Sequence, residues 1–162
     1  MVRTLAIAAL LVLTTACATT PDFDTEGVAL EVTPEQAVSE SRRLEGTRIL
    51  WGGVIVAARN LEDTTRLEIL GYPLDGRQRP VTDAEAQRRF LAVHEGYLET
   101  ADYAQGRWVT LTGPLAGTRS GQVGEATYTY PVVRVKAIHL WSQREPTSEP
   151  RFHFGIGVLF GG

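Results

Sequence analysis

Residues 49–72 read ILWGGVIVAARNLEDTTRLEILGY, two apolar runs joined by a short polar stretch. In the second run, apolar and charged residues alternate at 66–69, which is the pattern of a strand with one buried face. Residues 60–65 are turn formers, so the two runs are predicted to pair as a β-hairpin. The glycine pair at 52–53 predicts a bulge or bend where the first strand curls.

Further strands are predicted downstream, each bounded by turn residues. They cover residues 90–95, 107–115 and 126–141, and residues 118–125 between the last two are predicted to be a glycine-rich hairpin loop.

Two short helices are predicted from capping signals. Thr33-Pro34-Glu35-Gln36 supplies a capping threonine, a proline at the first helical position and a glutamine three residues after the cap. This helix is expected to end near residues 42–46. Thr82-Asp83-Ala84-Glu85 offers a second capping box, which predicts another helix over residues 84–89.

Together these elements predict a mainly β fold, a small OB-like, partly open β-barrel of five to six strands with short helices. We assign the β domain to residues 33–150. The last segment, residues 151–162, reads RFHFGIGVLFGG and alternates at period two, which is a strand signature. We expect it to be either a sixth strand that closes or covers the barrel, or an edge that docks on the bilayer or a partner.

The only cysteine of the chain, Cys17, follows a short apolar run. That run, residues 5–13 after the basic Arg3, is roughly half the length that a membrane-spanning helix needs. Residues 1–16 are therefore predicted to be an export signal. The simpler alternative makes Cys17 a small residue beside an ordinary cleavage site. We favour lipidation, because an exported protein with one unpaired thiol requires an explanation.

The segment after Cys17 and the charge of the chain limit what the domain contacts. Residues 17–32 mix threonine, proline and acids without a period, so they are predicted to be a tether. The net charge is −3 and no basic cluster is present, which argues against nucleic acid. The predicted partners are the membrane, through an N-terminal lipid anchor, and an envelope protein or glycan.

Several separated motifs resemble the Slp family of outer-membrane lipoproteins. Besides the signal with Cys17, they are LWGGVI (50–55), TRLEIL (65–70), YPLD (72–75), RFLA (89–92), GYL (96–98), VGE (123–125), YPV (130–132) and HLW (139–141). The resemblance implies a Gram-negative outer-membrane lipoprotein related to a starvation-induced one, with no established enzymatic activity. In lipoproteins with similar signals, Asp after the cysteine retains the protein in the inner membrane, so Ala18 implies delivery to the outer membrane.

Catalytic and metal-binding patterns are missing from the sequence. His94, His139 and His153 lie in different segments without zinc-site spacing, so no metal and no cofactor is predicted. No serine or cysteine has the context of an activated nucleophile. We therefore predict a periplasm-facing structural or binding component of the cell envelope, related to stress or starvation. The alternative is an envelope hydrolase that acts on a glycan or peptide with a site not visible in the sequence.

Six aromatic residues on the predicted strands form the candidate binding surface. They are Trp51, Tyr72, Trp108, Tyr128, Tyr130 and Trp141. OB folds use such side chains as stacking platforms for oligomers. The competing interpretation is that large aromatic side chains fill the interior of a small barrel.

Overall fold

The computed structural model describes residues 23–142, which form two short helices and six strands. The helices are α1 (Pro34–Ser39) and α2 (Ser41–Leu44), and the strands are β1 (Arg48–Asn60), β2 (Thr64–Tyr72), β3 (Arg89–Glu95), β4 (Trp108–Val123), β5 (Ala126–Arg134) and β6 (Ala137–Leu140). Within residues 23–142, no helix has the length and apolar character to span a bilayer. The predictions for Cys17, Ala18, His153 and segment 151–162 fall outside the described residues.

Five of the strands form a partly closed ring in the order β1-β2-β3-β5-β4, and β4 pairs back with β1. All neighbours are antiparallel except β3 and β5, which run parallel between Leu91↔Val132 and Val93↔Arg134. Strand β6 adds to β4 outside the ring. The predicted OB-like, mainly β barrel is confirmed, because a partly open five-stranded barrel of this kind is the OB arrangement.

Alternating side chains of the strands fill the interior of the ring. Leu67 and Ile69 of β2 point inward and are fully buried, as their spacing predicts. Trp51 packs edge-on against Phe90 with ring centroids 5.1 Å apart. Burial of each such large side chain contributes about 1.5–3 kcal/mol, so this core accounts for much of the stability of the barrel.

Helix α1 begins at the capping box that the sequence predicts. The Thr33 hydroxyl accepts from the backbone N–H of Gln36, and the Gln36 side chain accepts from the backbone N–H of Thr33. The helix breaks at Glu40, and α2 then ends at Leu44, within the predicted range. The prediction of a short helix here is confirmed, with one interruption that the sequence did not indicate.

The prediction of a second helix over residues 84–89 is wrong. No helix forms there, and Arg89 begins β3. The backbone N–H of Gln87 donates to the carbonyl of Gly71 at 2.8 Å, and the Arg88 guanidinium donates to the carbonyl of Thr129 at 3.0 Å. Contacts with the barrel therefore replace the bonds that a helix would have made.

The predicted boundaries of the last strands are also wrong. Residues 118–125 are not a loop, because β4 continues to Val123 and the turn occupies Gly124 and Glu125. The predicted strand 126–141 is divided into β5 and β6. The division lies where the chain passes over β4, at a point where a Cβ on Gly113 would overlap the carbonyl oxygen of Arg134. Both segments pair antiparallel with β4, β5 along its second half and β6 along its first half, and β5 also pairs with β3.

The bulge predicted at residues 52–53 lies further along β1. Gly52 and Gly53 keep regular pairing with β2, and the register shifts between Ile55 and Ala57, which leaves Val56 without a partner. A Cβ on Gly53 would overlap the carbonyl oxygen of Leu70 on β2. The glycine at this position therefore permits close approach of two backbones rather than forming the bulge.

Residues 23–32, the second part of the predicted tether 17–32, lie against the barrel. Phe23 is buried, and the Gln78 side-chain amide bonds both its backbone N–H and its carbonyl, at 3.3 and 3.4 Å. The backbone N–H of Ala29 donates to the carbonyl of Arg48 at 2.9 Å. The barrel therefore holds the chain from Phe23 onward.

Candidate functional site

A groove of about 280 Å³ on the outer face of the barrel gathers charged side chains from three strands. We call it the arginine groove; it is lined by Ala57, Ala58, Arg59, Arg66, Glu68, Leu91, Arg119, Ser120, Gly121, Gln122 and Tyr130. It lies between the β1–β2 hairpin and the β4–β5 hairpin. Ligands of OB folds bind on the corresponding side, at the face of strands 2 and 3 and the turns of these two hairpins.

The β1 bulge at Val56 turns Arg59 toward the groove. Ile55 is buried on the inner face, and strict alternation would place residue 59 on that face as well. Because Val56 has no partner, the register moves by one residue, and Arg59 comes opposite Arg66 on the outer face. The bulge therefore re-aims a charged side chain, a common role of bulges beside functional sites.

The opposite wall of the groove is the β4–β5 hairpin, which a second bulge bends. The register shifts between Leu115 and Thr118, and Gly117 has a φ of +76°. Glycine adopts this left-handed conformation without steric strain. Beyond the bulge, Arg119 lies opposite Tyr130, and both line the groove. Both long walls thus depend on a bulge for their orientation.

In the described part of the chain one carboxylate lines the groove, that of Glu68, and it already has two partners. Its Oε1 lies 2.8 Å from the Arg89 guanidinium and 3.2 Å from the Tyr130 hydroxyl. Burial raises the pKa of Tyr130, and the charge of Glu68 raises it further. The phenol therefore stays protonated near neutral pH and can donate to the carboxylate.

The three groove arginines have no such partner. Arg59, Arg66 and Arg119 form no ion pair with any residue from 23 to 142. Arg59 and Arg119 are exposed, and Arg66 is half-buried. The groove is therefore a cationic site on a protein whose net charge is −3.

A second cavity, of about 450 Å³, lies beneath the N-terminal segment. Two of its polar side chains are engaged within the protein, and the first is Gln78, whose amide holds Phe23. One Asp75 carboxylate oxygen accepts from the backbone N–H groups of Arg77 and Arg79, at 2.8 and 2.9 Å. Because those side chains already have partners, the arginine groove is the stronger candidate for ligand recognition.

The six aromatic residues of the predicted binding surface are divided among three places. Trp51 and Tyr72 line the second cavity, Tyr128 and Tyr130 lie with ring centroids 4.7 Å apart, and Trp108 and Trp141 both lie near the Arg79 guanidinium. Trp51 is only 5% exposed and donates its Nε1–H to the carbonyl of Val32 at 2.7 Å. It serves the core, as the competing interpretation predicts. Of the six, Tyr130 alone lines the arginine groove.

Trp108 and Trp141 both contact the guanidinium of Arg79, and neither ring lines the arginine groove. The Arg79 guanidinium lies 4.8 Å from the centroid of the Trp108 ring and 5.6 Å from that of Trp141. The Nε1–H of Trp141 donates to the Thr110 hydroxyl at 2.9 Å. These two rings are thus occupied by contacts within the fold.

The histidines are likewise separate in the described part of the chain. His94 lies on β3 and His139 on β6, and among residues 23–142 no three His, Cys, Asp or Glu side chains are grouped to bind a metal. His139 packs edge-on against Trp141 with centroids 4.7 Å apart, and burial lowers its pKa. Its surroundings are those of a packed histidine.

Sequence comparison gives matches over most of the chain. The family description "Outer membrane lipoprotein Slp family" matches residues 14–157. An uncharacterized lipoprotein of Escherichia coli K12, YeaY, is 30% identical over 139 residues, covering 80% of this chain and 72% of that protein. The outer membrane protein Slp of the same organism is 28% identical over 142 residues, covering 86% of this chain and 71% of its own.

Solved structures of similar shape include two single-stranded DNA-binding proteins. One, from Streptomyces coelicolor, is 20% identical with a TM-score of 0.38 and covers 62% of this chain and 98% of its own. The other, mitochondrial Rim1 from S. cerevisiae, is 10% identical with a TM-score of 0.36 and covers 59% of this chain and 95% of its own. Similarity at this level carries no argument about function.

Proposed function

Because this chain belongs to the outer membrane lipoprotein Slp family, we propose that it is a lipid-anchored binding component of the Gram-negative cell envelope. Its barrel faces the periplasm, and the arginine groove is its binding face. The observation that carries the binding role is the convergence in this groove of three arginines that form no ion pair within residues 23–142. A role in stress or starvation, which the family resemblance implies, belongs to the same proposal.

The proposed anchor is Cys17, and the proposed sorting residue is Ala18. The family match begins at residue 14 and so includes both positions. A single acyl chain holds a protein to a bilayer only marginally, whereas two or more signals give stable anchoring. Acylation of Cys17 with more than one chain would therefore fix the barrel permanently at the membrane surface.

Three features of the groove support a role in binding. It is concave and brings a few polar groups together, as ligand sites do. Both of its long walls are oriented by β-bulges, at Val56 and at Ala116–Gly117. The β4–β5 hairpin that forms one wall carries exposed polar side chains at Ser120 and Gln122.

A bulky side chain in the groove tests this proposal. Ser120→Trp should reduce capture of the envelope component that crosslinks to the wild-type protein in native membranes at least tenfold, because the indole would occupy the groove. The control is Ser39→Trp, an exposed position on α1 outside the groove, which should capture as much as the wild type. Equal capture by both variants, or capture by the wild type no higher than by Ser120→Trp, would refute the groove as the binding face.

A further inference from the structure

We propose that the arginine groove recognises an anionic oligosaccharide, a sugar chain bearing carboxylates, through Arg59, Arg66 and Arg119. This inference rests on the proposed function, because it names the ligand class of the same groove.

The first observation is the direct opposition of two like charges. Arg59 and Arg66 are cross-strand partners in the β1–β2 register, so their Cβ atoms are about 4.5–5.5 Å apart on one face. Like charges directly opposite each other destabilise a sheet. Moreover, the bulge at Val56 creates the juxtaposition by shifting the register. An anion held between the two guanidiniums would turn this repulsion into attraction.

Arg119 adds a third cation from the opposite wall. It lies beyond the Gly117 bulge on β4 and lines the same groove. The carboxylate that lines the groove with these cations, Glu68, is paired with Arg89 and lies within hydrogen-bonding distance of Tyr130. The groove therefore offers three guanidiniums whose charge-assisted hydrogen bonds remain to be made by a ligand.

The rest of the lining suits a sugar. Ser120 and Gln122 provide a hydroxyl and an amide on the exposed hairpin wall, which can bond the hydroxyls of a pyranose. Ala57 provides a small apolar surface on the β1 side, against which the C–H face of a ring can pack. A chain of acidic sugars presents carboxylates, hydroxyls and apolar ring faces together, and all three have a counterpart here.

A nucleic acid fits this lining less well. Proteins that bind single strands stack bases on exposed aromatic rings. Among residues 23–142, the one aromatic side chain that lines the groove is Tyr130, which is only 4% exposed and whose hydroxyl lies 3.2 Å from Glu68. These residues thus offer guanidiniums for an acidic chain but no open ring for a base.

A matched pair of sugar probes tests the inference on the full-length protein in detergent. One probe is hexagalacturonate, and the other is its full methyl ester, which has the same rings without charge. We expect the acid to bind at least tenfold more tightly than the ester, and added salt to weaken its binding because exposed charges are screened. A hexamer of thymidylate serves as the third probe and should bind more weakly than the acid.

Charge-removing variants locate the site. Arg59→Gln and Arg66→Gln should each weaken binding of hexagalacturonate about tenfold, as expected for loss of a charge-assisted hydrogen bond. The melting temperature of each variant should equal or exceed that of the wild type, because each substitution removes one of two positive charges that face each other across the strands. The control, Arg42→Gln, removes an exposed arginine of α2 outside the groove and should bind within twofold of the wild type.

Several results would overturn the inference. They are equal binding of acid and ester, no binding of the acid, unchanged binding by both groove variants, and tighter binding of thymidylate than of the acid. If these occur while Ser120→Trp still reduces capture in membranes at least tenfold, then the groove binds an envelope component of another chemistry. The proposed function would in that case stand without the acidic sugar.

Discussion

Gly53→Ala is expected to lower the free energy of unfolding by about 3 kcal/mol, the upper end of what overpacking usually costs. A Cβ at this position would overlap the carbonyl oxygen of Leu70 and lie 2.8 Å from Cγ2 of Ile69. Neither group can move away cheaply, because Leu70 belongs to the paired backbone of β2 and Ile69 is fully buried. Urea denaturation followed by circular dichroism measures the effect.

The control for this substitution is Gly76→Ala. A Cβ at Gly76 would have no atom of residues 23–142 within 4 Å beyond its chain neighbours, and the residue is exposed in the loop after β2. The free energy of unfolding should therefore change by no more than about 0.5 kcal/mol, as for ordinary surface substitutions. Equal small losses for both variants would show that β1 and β2 do not approach each other as closely as described.

Cys17→Ala is expected to remove the protein from the membrane fraction completely. Each buried methylene of an acyl chain contributes about 0.8 kcal/mol to membrane attachment. A variant that lacks all acyl chains therefore loses the whole of this attachment free energy. Extraction and intact mass measure the outcome: the wild type should require detergent and carry fatty acid, and the variant should do neither. Fatty acid on the variant would contradict lipidation at this cysteine.

Ala18→Asp serves as the matched control, because it keeps the cysteine while changing the proposed sorting signal. It should still carry fatty acid and still require detergent. On a density gradient it should move from the outer to the inner membrane fraction. An identical distribution of Ala18→Asp and the wild type would contradict the proposed route, while leaving the lipidation of Cys17 intact.

Local signals in the sequence are enough to predict several elements of the barrel. The capping box of Thr33 and Gln36 forms as expected, because both partners lie within one turn of the chain. The hairpin of β1 and β2 forms because the buried alternation at Leu67 and Ile69 and the turn residues between the strands agree with each other. A second capping sequence, at residues 82–85, fails because the following segment bonds β2 and β5 instead.

The arginine groove could not be predicted in the same way. Nothing in VIVAAR, residues 54–59, marks Val56 as the unpaired residue, since any of the small or β-branched residues there could be extruded from the pairing. The bulge depends on how β1 must curve to reach both β2 and β4. Without its position, Arg59 cannot be assigned to a face. The aromatic pattern alone did not distinguish stacking platforms from structural residues, and all three tryptophans make structural contacts: Trp51, Trp108 and Trp141.

Photo-crosslinking in growing cells tests most directly whether the arginine groove is the face through which this lipoprotein contacts the envelope. A photoreactive amino acid replaces Gln122, which is exposed and lines the groove, or Arg42, which is exposed on α2 outside it. We predict adducts that contain acidic sugar from position 122 and none from position 42. Equal adducts from the two positions, or no adduct from position 122, would contradict the assignment of the groove as the binding face.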